Sequence, residues 1–234
     1  MSGGLVARPV ASVVGRRLSG PSAVETEHAE AIDRVWRAAL AARPRMFNGR
    51  ILLGERVTLE DDILLVDFRE VAFAALIWLR GEGAFETRLF NVFGAAAVVS
   101  RDGVALLGRM APHTANAGQV YFPCGTPDLG DVGGDTVDIE GSILRELSEE
   151  TGLSAPVVRP TKRAVVVFDG RLVGVIRRLE SDLDASEIAS RAKVYLAAER
   201  EPELDRIVMA RSAAELGPEA PDYAKVALDA LLEA

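Results

Sequence analysis

The chain has 234 residues, 49% hydrophobic and 26% charged, an ordinary globular composition that suits one large domain or a core domain with an extension. Its 35 acidic against 27 basic residues give a formal net charge of −8, which argues against partnership with nucleic acid or anionic lipid and makes an anionic small substrate awkward unless a cation mediates. The lone cysteine, Cys124, excludes an intrachain disulfide and a cysteine zinc site and fits a reducing, cytoplasmic setting.

The first 20 residues carry Arg8, Arg16 and Arg17 but no acid and no apolar h-region, so a flexible or strand-forming start is expected rather than a transit peptide. Residues 25–42 repeat apolar side chains at helical spacing (Ala29, Ile32, Val35, Trp36, Ala39, Leu40), and Pro44 lies just beyond. Residues 50–53 and 63–68 read as short strands. The apolar run 71–79 fits a buried strand or a helix equally and is far short of the roughly 20 residues that cross a bilayer. Gly81-Glu82-Gly83 punctuates the chain, and its character changes after Phe85. Residues 90–100 read as a strand, Asp102-Gly103 as a turn and 104–108 as the returning strand of a hairpin. A loop at 111–118 and a short strand at 119–122 follow.

Residues 124–137, rich in Gly and Asp, read as loop. Asp138 is a plausible N-cap for a helix over 139–151 that Gly152 stops. A second hairpin is expected at 164–168 and 172–176 around Asp169-Gly170, then a helix at 185–191, a strand at 193–196 and an amphipathic helix at 221–232. Strands flanking a helix, mixed with hairpins, predict an α+β sandwich rather than a doubly wound parallel sheet.

The informative segment is Arg145-Glu146-Leu147-Ser148-Glu149-Glu150-Thr151-Gly152-Leu153. On a helix, Glu146, Glu149 and Glu150 stand at i, i+3 and i+4, so three carboxylates share one face, while Leu144 and Leu147 are expected on the opposite, buried side. Such a stripe is either a solvated acidic face or a place for a hard divalent cation, which takes oxygen ligands and bridges to phosphate. Its flanks favour the cation: Arg145 stands one turn before Glu149 and can orient it by an ion pair.

This run resembles the second half of the Nudix box, matching it at every specified position. Gly125-Thr126-Pro127-Asp128-Leu129-Gly130-Asp131 fits the first half, with Asp131 where the family has glutamate, and Tyr121-Phe122-Pro123-Cys124-Gly125 resembles the entry to that loop. The chain departs from the pattern between Asp131 and Arg145, where residues 132–144 are six more than the family's seven; the surplus is expected to bulge out of the loop at 132–137. The motif covers residues 125–153. The resemblance implies a Nudix-type α/β/α sandwich with a mixed sheet over residues 89–234, plus an N-terminal α/β extension over residues 1–88 that lies outside it.

The resemblance also implies chemistry. Glu146 and Glu150, with Glu149 close behind, would hold Mg²⁺ (Mn²⁺ able to substitute), joined by the carbonyl near Gly125. Glu149 and Arg145 would assist catalysis, and a general base or further ligand would come from Glu201, Glu203 or Asp205, with Glu203 the first choice. The reaction would be cleavage of a diphosphate linkage in a small nucleotide substrate. Arg109 and His113 are candidate phosphate contacts, with a plain ion pair and a surface loop as their alternatives. Cys124 reads as a small turn residue rather than a nucleophile, and His28 as structural.

For the substrate, Leu106-Leu107-Gly108-Arg109 with Gly118-Gln119-Val120-Tyr121-Phe122-Pro123 resembles the coenzyme A diphosphatases. Phe47-Asn48-Gly49 and the lengthened box resemble UDP-sugar pyrophosphatases. A nucleoside diphosphate sugar is the first expectation and coenzyme A the second. The family often dimerises, so a homodimer is allowed. A non-catalytic Nudix-fold sensor is the alternative of a different class, set against the retention of all three helix glutamates.

Overall fold

The computed structural model describes residues 5–81 and 87–233. In chain order, β1 (Ala7–Pro9) and β2 (Ser12–Arg17) lead into α1 (Ala23–Glu27) and α2 (Ala29–Ala42). Then come β3 (Arg50–Glu60), β4 (Ile63–Ala72) and α3 (Phe73–Leu79). The second half holds β5 (Asn91–Val99), β6 (Ala105–Met110), β7 (Val120–Tyr121), β8 (Cys124–Gly125), β9 (Val132–Gly133), β10 (Thr136–Val137) and α4 (Ile139–Thr151). It closes with β11 (Arg159–Asp169), β12 (Leu172–Glu180), α5 (Ala185–Ala198), β13 (Leu204–Ala210) and α6 (Asp222–Leu232). Glu82 and Gly83 of the expected turn, and Phe85 where the character changes, lie outside the described residues.

The larger sheet runs β1-β11-β12-β5-β6-β13, with β7 on β6 and β8 on β5. All its pairings are antiparallel except β12 with β5, so the sheet is mixed, as expected. β5 is buried along its whole length because both faces are covered. Gly94 faces α4, where a Cβ would strike Ile143; its neighbour Phe93 faces the other way and meets Tyr223 of α6 edge-on, with ring centroids 5.4 Å apart. Helices on opposite faces of a mixed sheet make the α/β/α sandwich.

A second sheet runs β3-β4-β2-β10-β9. The six-residue surplus is therefore not a bulge. It folds as the β9–β10 hairpin, which adds to β2 with Thr136 opposite Arg16 and Val137 opposite Gly15. Further links join residues before and after 88: β1 adds to β11 at the edge of the larger sheet, and Gly54 and Phe90 exchange backbone hydrogen bonds at 2.9 and 2.7 Å. One apolar cluster accordingly contains Val10, Leu52, Leu64 and Phe68 together with Val92, Leu107, Ile143 and Ile176. A smaller cluster under α2 and α3 centres on Trp78, Leu76, Leu53 and Ile32.

Several local readings change. The 71–79 run divides, its start ending β4 and its remainder forming α3. Residues 185–198 form one helix, so no strand forms at 193–196; the capping box of Asp184 and Glu187 starts a helix that tolerates Val194 on its exposed face. The 25–42 helix is broken at His28, whose ring stacks 4.6 Å from Trp78. Leu144 is exposed, whereas Leu147 is fully buried.

Candidate functional site

Helix α4 starts and stops where its capping residues dictate. Asp138 accepts a hydrogen bond from the Gly141 N–H at 2.9 Å, and Gly152 closes the C-terminus at φ 69°. Its buried side, through Ile139, Ile143 and Leu147, packs on the sheet. This fixes the rotation of the helix and hence the direction of its glutamates.

Those glutamates do not behave as one set. Glu150 is buried, its Oε2 having no hydrogen-bond partner, and Glu146 is partly buried against β8. A Cβ on Gly125 would land on the Glu146 carboxyl group, so glycine at 125 leaves that carboxyl its place against β8. Glu149 points outward, with 59% of its side chain exposed. Glu146 and Glu150 line a cavity of about 610 Å³ together with Cys124, Gly125, Glu203 and His113; Glu149 and Arg109 do not.

Arg145 ties the cluster together. It ion-pairs with Glu146 at 2.9 Å and Glu149 at 3.0 Å, and it reaches across to Asp131 at 3.0 Å. Despite burial, these carboxylates hold its guanidinium firmly charged. Asp131 belongs to a 3₁₀ turn, Leu129–Asp131, in which it and Asp128 form a reciprocal capping box.

The three acids of the 201–205 stretch separate cleanly. Glu201 is paired with Arg45, and Asp205 accepts both hydrogen bonds of the Arg109 fork, at 2.6 and 2.8 Å. That fork engages Arg109 away from the cavity, in the ion-pair alternative. Glu203, immediately before β13, lies near enough to act electrostatically on Glu146 and Glu150. Burial, and then Glu149 and Glu203, push the Glu146 carboxyl up to about 7. Burial, then Glu203 and Glu146, push Glu150 well above the ordinary range. Burial and the same glutamates push the Cys124 thiol up, which keeps it protonated and opposes a nucleophilic role.

Among the described residues, no group of three or more His, Cys, Asp or Glu side chains closes into a finished metal cage. The site is a set of carboxylates short of compensating charge, and a cation would supply it.

Apart from the Phe47-Asn48-Gly49 element, sequence reading named none of the residues that the first 81 positions bring to this cavity. Phe47, Phe73 and Arg80 line it alongside Tyr121 and Tyr223. The exposed Phe-Asn-Gly at 47–49 was the available signal; α3 carried none, since a buried apolar run does not announce which cavity it walls.

No model of a known protein family matches the sequence, and no curated protein matches it. Solved structures similar to the chain include the Nudix hydrolase RenU from M. smegmatis, at 15% identity over 55% of this chain and 76% of that one, with a TM-score of 0.35. A Nudix hydrolase from Nitrosomonas europaea is 19% identical over 52% of this chain and 72% of that one, with a TM-score of 0.34. The Nudix domain of Shewanella oneidensis NrtR, solved with ADP ribose, is 17% identical over 52% of this chain and 72% of that one, with a TM-score of 0.33. Likenesses at this level carry no argument about chemistry, which rests on the residues of this site.

Proposed function

We propose that the chain is a Mg²⁺-dependent hydrolase of the Nudix type that cleaves a diphosphate linkage in a nucleoside diphosphate derivative. The observation that carries this reading is Glu150: a buried carboxylate with an unpartnered oxygen, on the wall of a cavity it shares with Glu146 and Glu203. An unpaired buried charge is strongly unfavourable, and a helix does not gather acids at such a place for stability. The donor set is hard oxygen throughout, which fits Mg²⁺ or Mn²⁺ and not a soft metal.

Glu150 and Glu146 would hold the cation, with the Gly125 carbonyl as a further oxygen beside them. When bound, the metal would neutralise the diphosphate and lower the pKa of a coordinated water. Glu203 comes from a different element and has no ion-pair partner among the described residues, so it is the side chain suited to accept the proton of the attacking water. Arg145 would release Glu146 to the cation while keeping Asp131 and Glu149, which leaves Glu149 an outer, orienting role. His113 remains available from the cavity wall to meet phosphate oxygen.

A nucleoside diphosphate sugar is the favoured substrate, since the cavity is roomy and combines aromatic and amide side chains with its acids; coenzyme A is the second choice. The test is hydrolysis of UDP-glucose, ADP-ribose, coenzyme A and nucleoside triphosphates with Mg²⁺, with Glu150→Gln alongside. Wild type should cleave at least one, and the variant should lose about a hundredfold or more in kcat. Equal rates for the two proteins would overturn the assignment of Glu150.

A further inference from the structure

Among the described residues, Arg177 is the one basic residue that is buried, at 7% exposure. It alternates along β12 in step with Val173, Val175 and Leu179, all fully buried, so the strand pattern calls for an apolar side chain there. Its guanidinium is engaged on every side. Nε donates to one carboxylate oxygen of Glu140 at 3.0 Å and Nη2 donates to the other, a two-pronged fork. Nη1 donates to the Thr161 carbonyl at 3.3 Å, where β11 slips out of register between Pro160 and Ala164. Glu140 is the acid in the first turn of α4, and its side chain is 43% exposed.

Stability does not account for this pair. Taking two charges out of water costs about as much as their attraction gains, and apolar residues in place of a buried pair are often neutral or stabilising. What an arginine fork supplies is direction. Contact through Ile139, Ile143 and Leu147 decides which side of α4 meets the sheet, but apolar contact is non-directional and permits small slides along the axis. Arg145 holds α4 to Asp131, and Glu140 lies five residues earlier, about 140° round the helix. Two clamps at different heights and on different sides stop the helix from rolling or sliding. Glu146 and Glu150 follow about 9 and 15 Å along the axis from Glu140. Mg²⁺ demands near-ideal ligand geometry, so a small slide of α4 spoils the site.

We propose that Arg177, acting through Glu140, is a positioning residue for the cation site: it locks the first turn of α4 to the sheet so that Glu146 and Glu150 are presented together to one divalent ion. The inference rests on the hydrolase reading for the presence of that ion. Its own claim is that cation affinity depends on a pair that does not line the cavity.

The experiment is titration with Mn²⁺ followed by its EPR signal, with melting temperature and Mg²⁺-dependent kcat measured on the same proteins. These are wild type, Arg177→Met, the double variant Arg177→Met/Glu140→Leu, Arg177→Lys, Glu150→Gln and Arg159→Met. The double variant should melt no lower than wild type, yet bind Mn²⁺ about tenfold or more weakly. Arg177→Lys keeps the charge without the fork and should recover only part of the affinity. Arg159 forks onto Asp182 at 2.8 Å on the surface at the start of β11, so Arg159→Met is the control and should bind like wild type. The losses should persist well below each melting temperature, where a merely loosened fold would recover. Should the double variant not fold, Arg177→Met carries the test, because the Glu140 it frees is half-exposed and solvated. Wild-type affinity in the folded Arg177 variants, a loss that vanishes on cooling, or an equal loss in Arg159→Met overturns the proposal. If Glu150→Gln alone loses the ion, the hydrolase reading stands and the positioning role falls; if wild type takes up no Mn²⁺, both fall.

Discussion

Arg145 donates to both carboxylate oxygens of Asp131, at 3.2 and 3.0 Å through Nη2, across 14 residues of chain that include the β9–β10 hairpin. The Asp131 side chain is only 4% exposed and also accepts a hydrogen bond from the Asp128 N–H at 3.0 Å. The shorter acid thus serves as an internal brace between the loop and the glutamate helix α4. Asp131→Ala should destabilise the protein by about 1.5–3 kcal/mol in urea, the lower end being set by the partial exposure of Arg145. Asp131→Glu should recover only part of it, because an added methylene displaces the carboxylate from the Asp128 N–H and Arg145 positions that now serve it. A loss below 0.5 kcal/mol for Asp131→Ala would refute the brace.

Glu146 couples stability to pH in a definite direction. Its carboxyl is pushed up to about 7 by burial and by Glu149 and Glu203, above its value in an unfolded chain. Between the unfolded value, about 4.3, and 7 the native state therefore binds the extra proton. The sign follows: in EDTA this group makes the fold most stable at low pH, and its contribution is lost as pH rises towards and through 7, by at most about 1.4 kcal/mol per pH unit. Mg²⁺ competes with that proton, so the rise in melting temperature on adding Mg²⁺ should be larger at pH 8 than at pH 5.5. A Mg²⁺ effect that is flat or inverted with pH would count against Glu146 as a ligand.

The acids before β13 give a three-way comparison. Glu201 and Asp205 are spent on Arg45 and Arg109, and only Glu203 lines the cavity. Glu203→Gln should lower kcat by about a hundredfold while Glu201→Gln and Asp205→Asn stay within a few fold. On the helix, Glu149→Gln should cost less than Glu150→Gln, since its side chain faces outward. The single-turnover rates of the five variants, ranked against wild type, decide the matter; a leading loss at Glu201 or Asp205 would move the general base.

The α4 helix and the side on which its glutamates gather were legible in the sequence because helix periodicity alone fixes which residues share a face, and Asp138 and Gly152 fixed where the helix begins and ends. The difference between Glu149 and Glu150 was not legible. Adjacent residues on one helix differ by about 100° of rotation, and only the strand they pack against decides which of them is buried. Arg109 allowed either a phosphate contact or a plain ion pair in the sequence, and the partner it has, Asp205, lies 96 residues away, beyond the reach of any local pattern. The strand read at 193–196 arose from its β-branched and aromatic residues, a local preference that the α5 capping box and packing overrode.

The β9–β10 hairpin could not be read as structure at all, because two-residue strands carry no periodicity and its partner, β2, is more than 100 residues earlier. Its pairing yields the sharpest structural test. Val137 lies opposite Gly15, where a Cβ would meet the Val137 carbonyl at 2.8 Å and the Phe68 ring at 3.1 Å. Gly15→Val must therefore push β10 away from β2, and Val137 is followed directly by Asp138, the N-cap of the glutamate helix. Overpacking of this kind costs about 1–3 kcal/mol. The expected result is a lower melting temperature together with weaker Mg²⁺ stabilisation, because the strain reaches Glu146 and Glu150 through the first turn of α4. Val14→Thr, on the exposed side of the same strand, should change neither. If Gly15→Val lowered stability and left the Mg²⁺ response intact, the hairpin would be a fastening of the two sheets and not a support of the site.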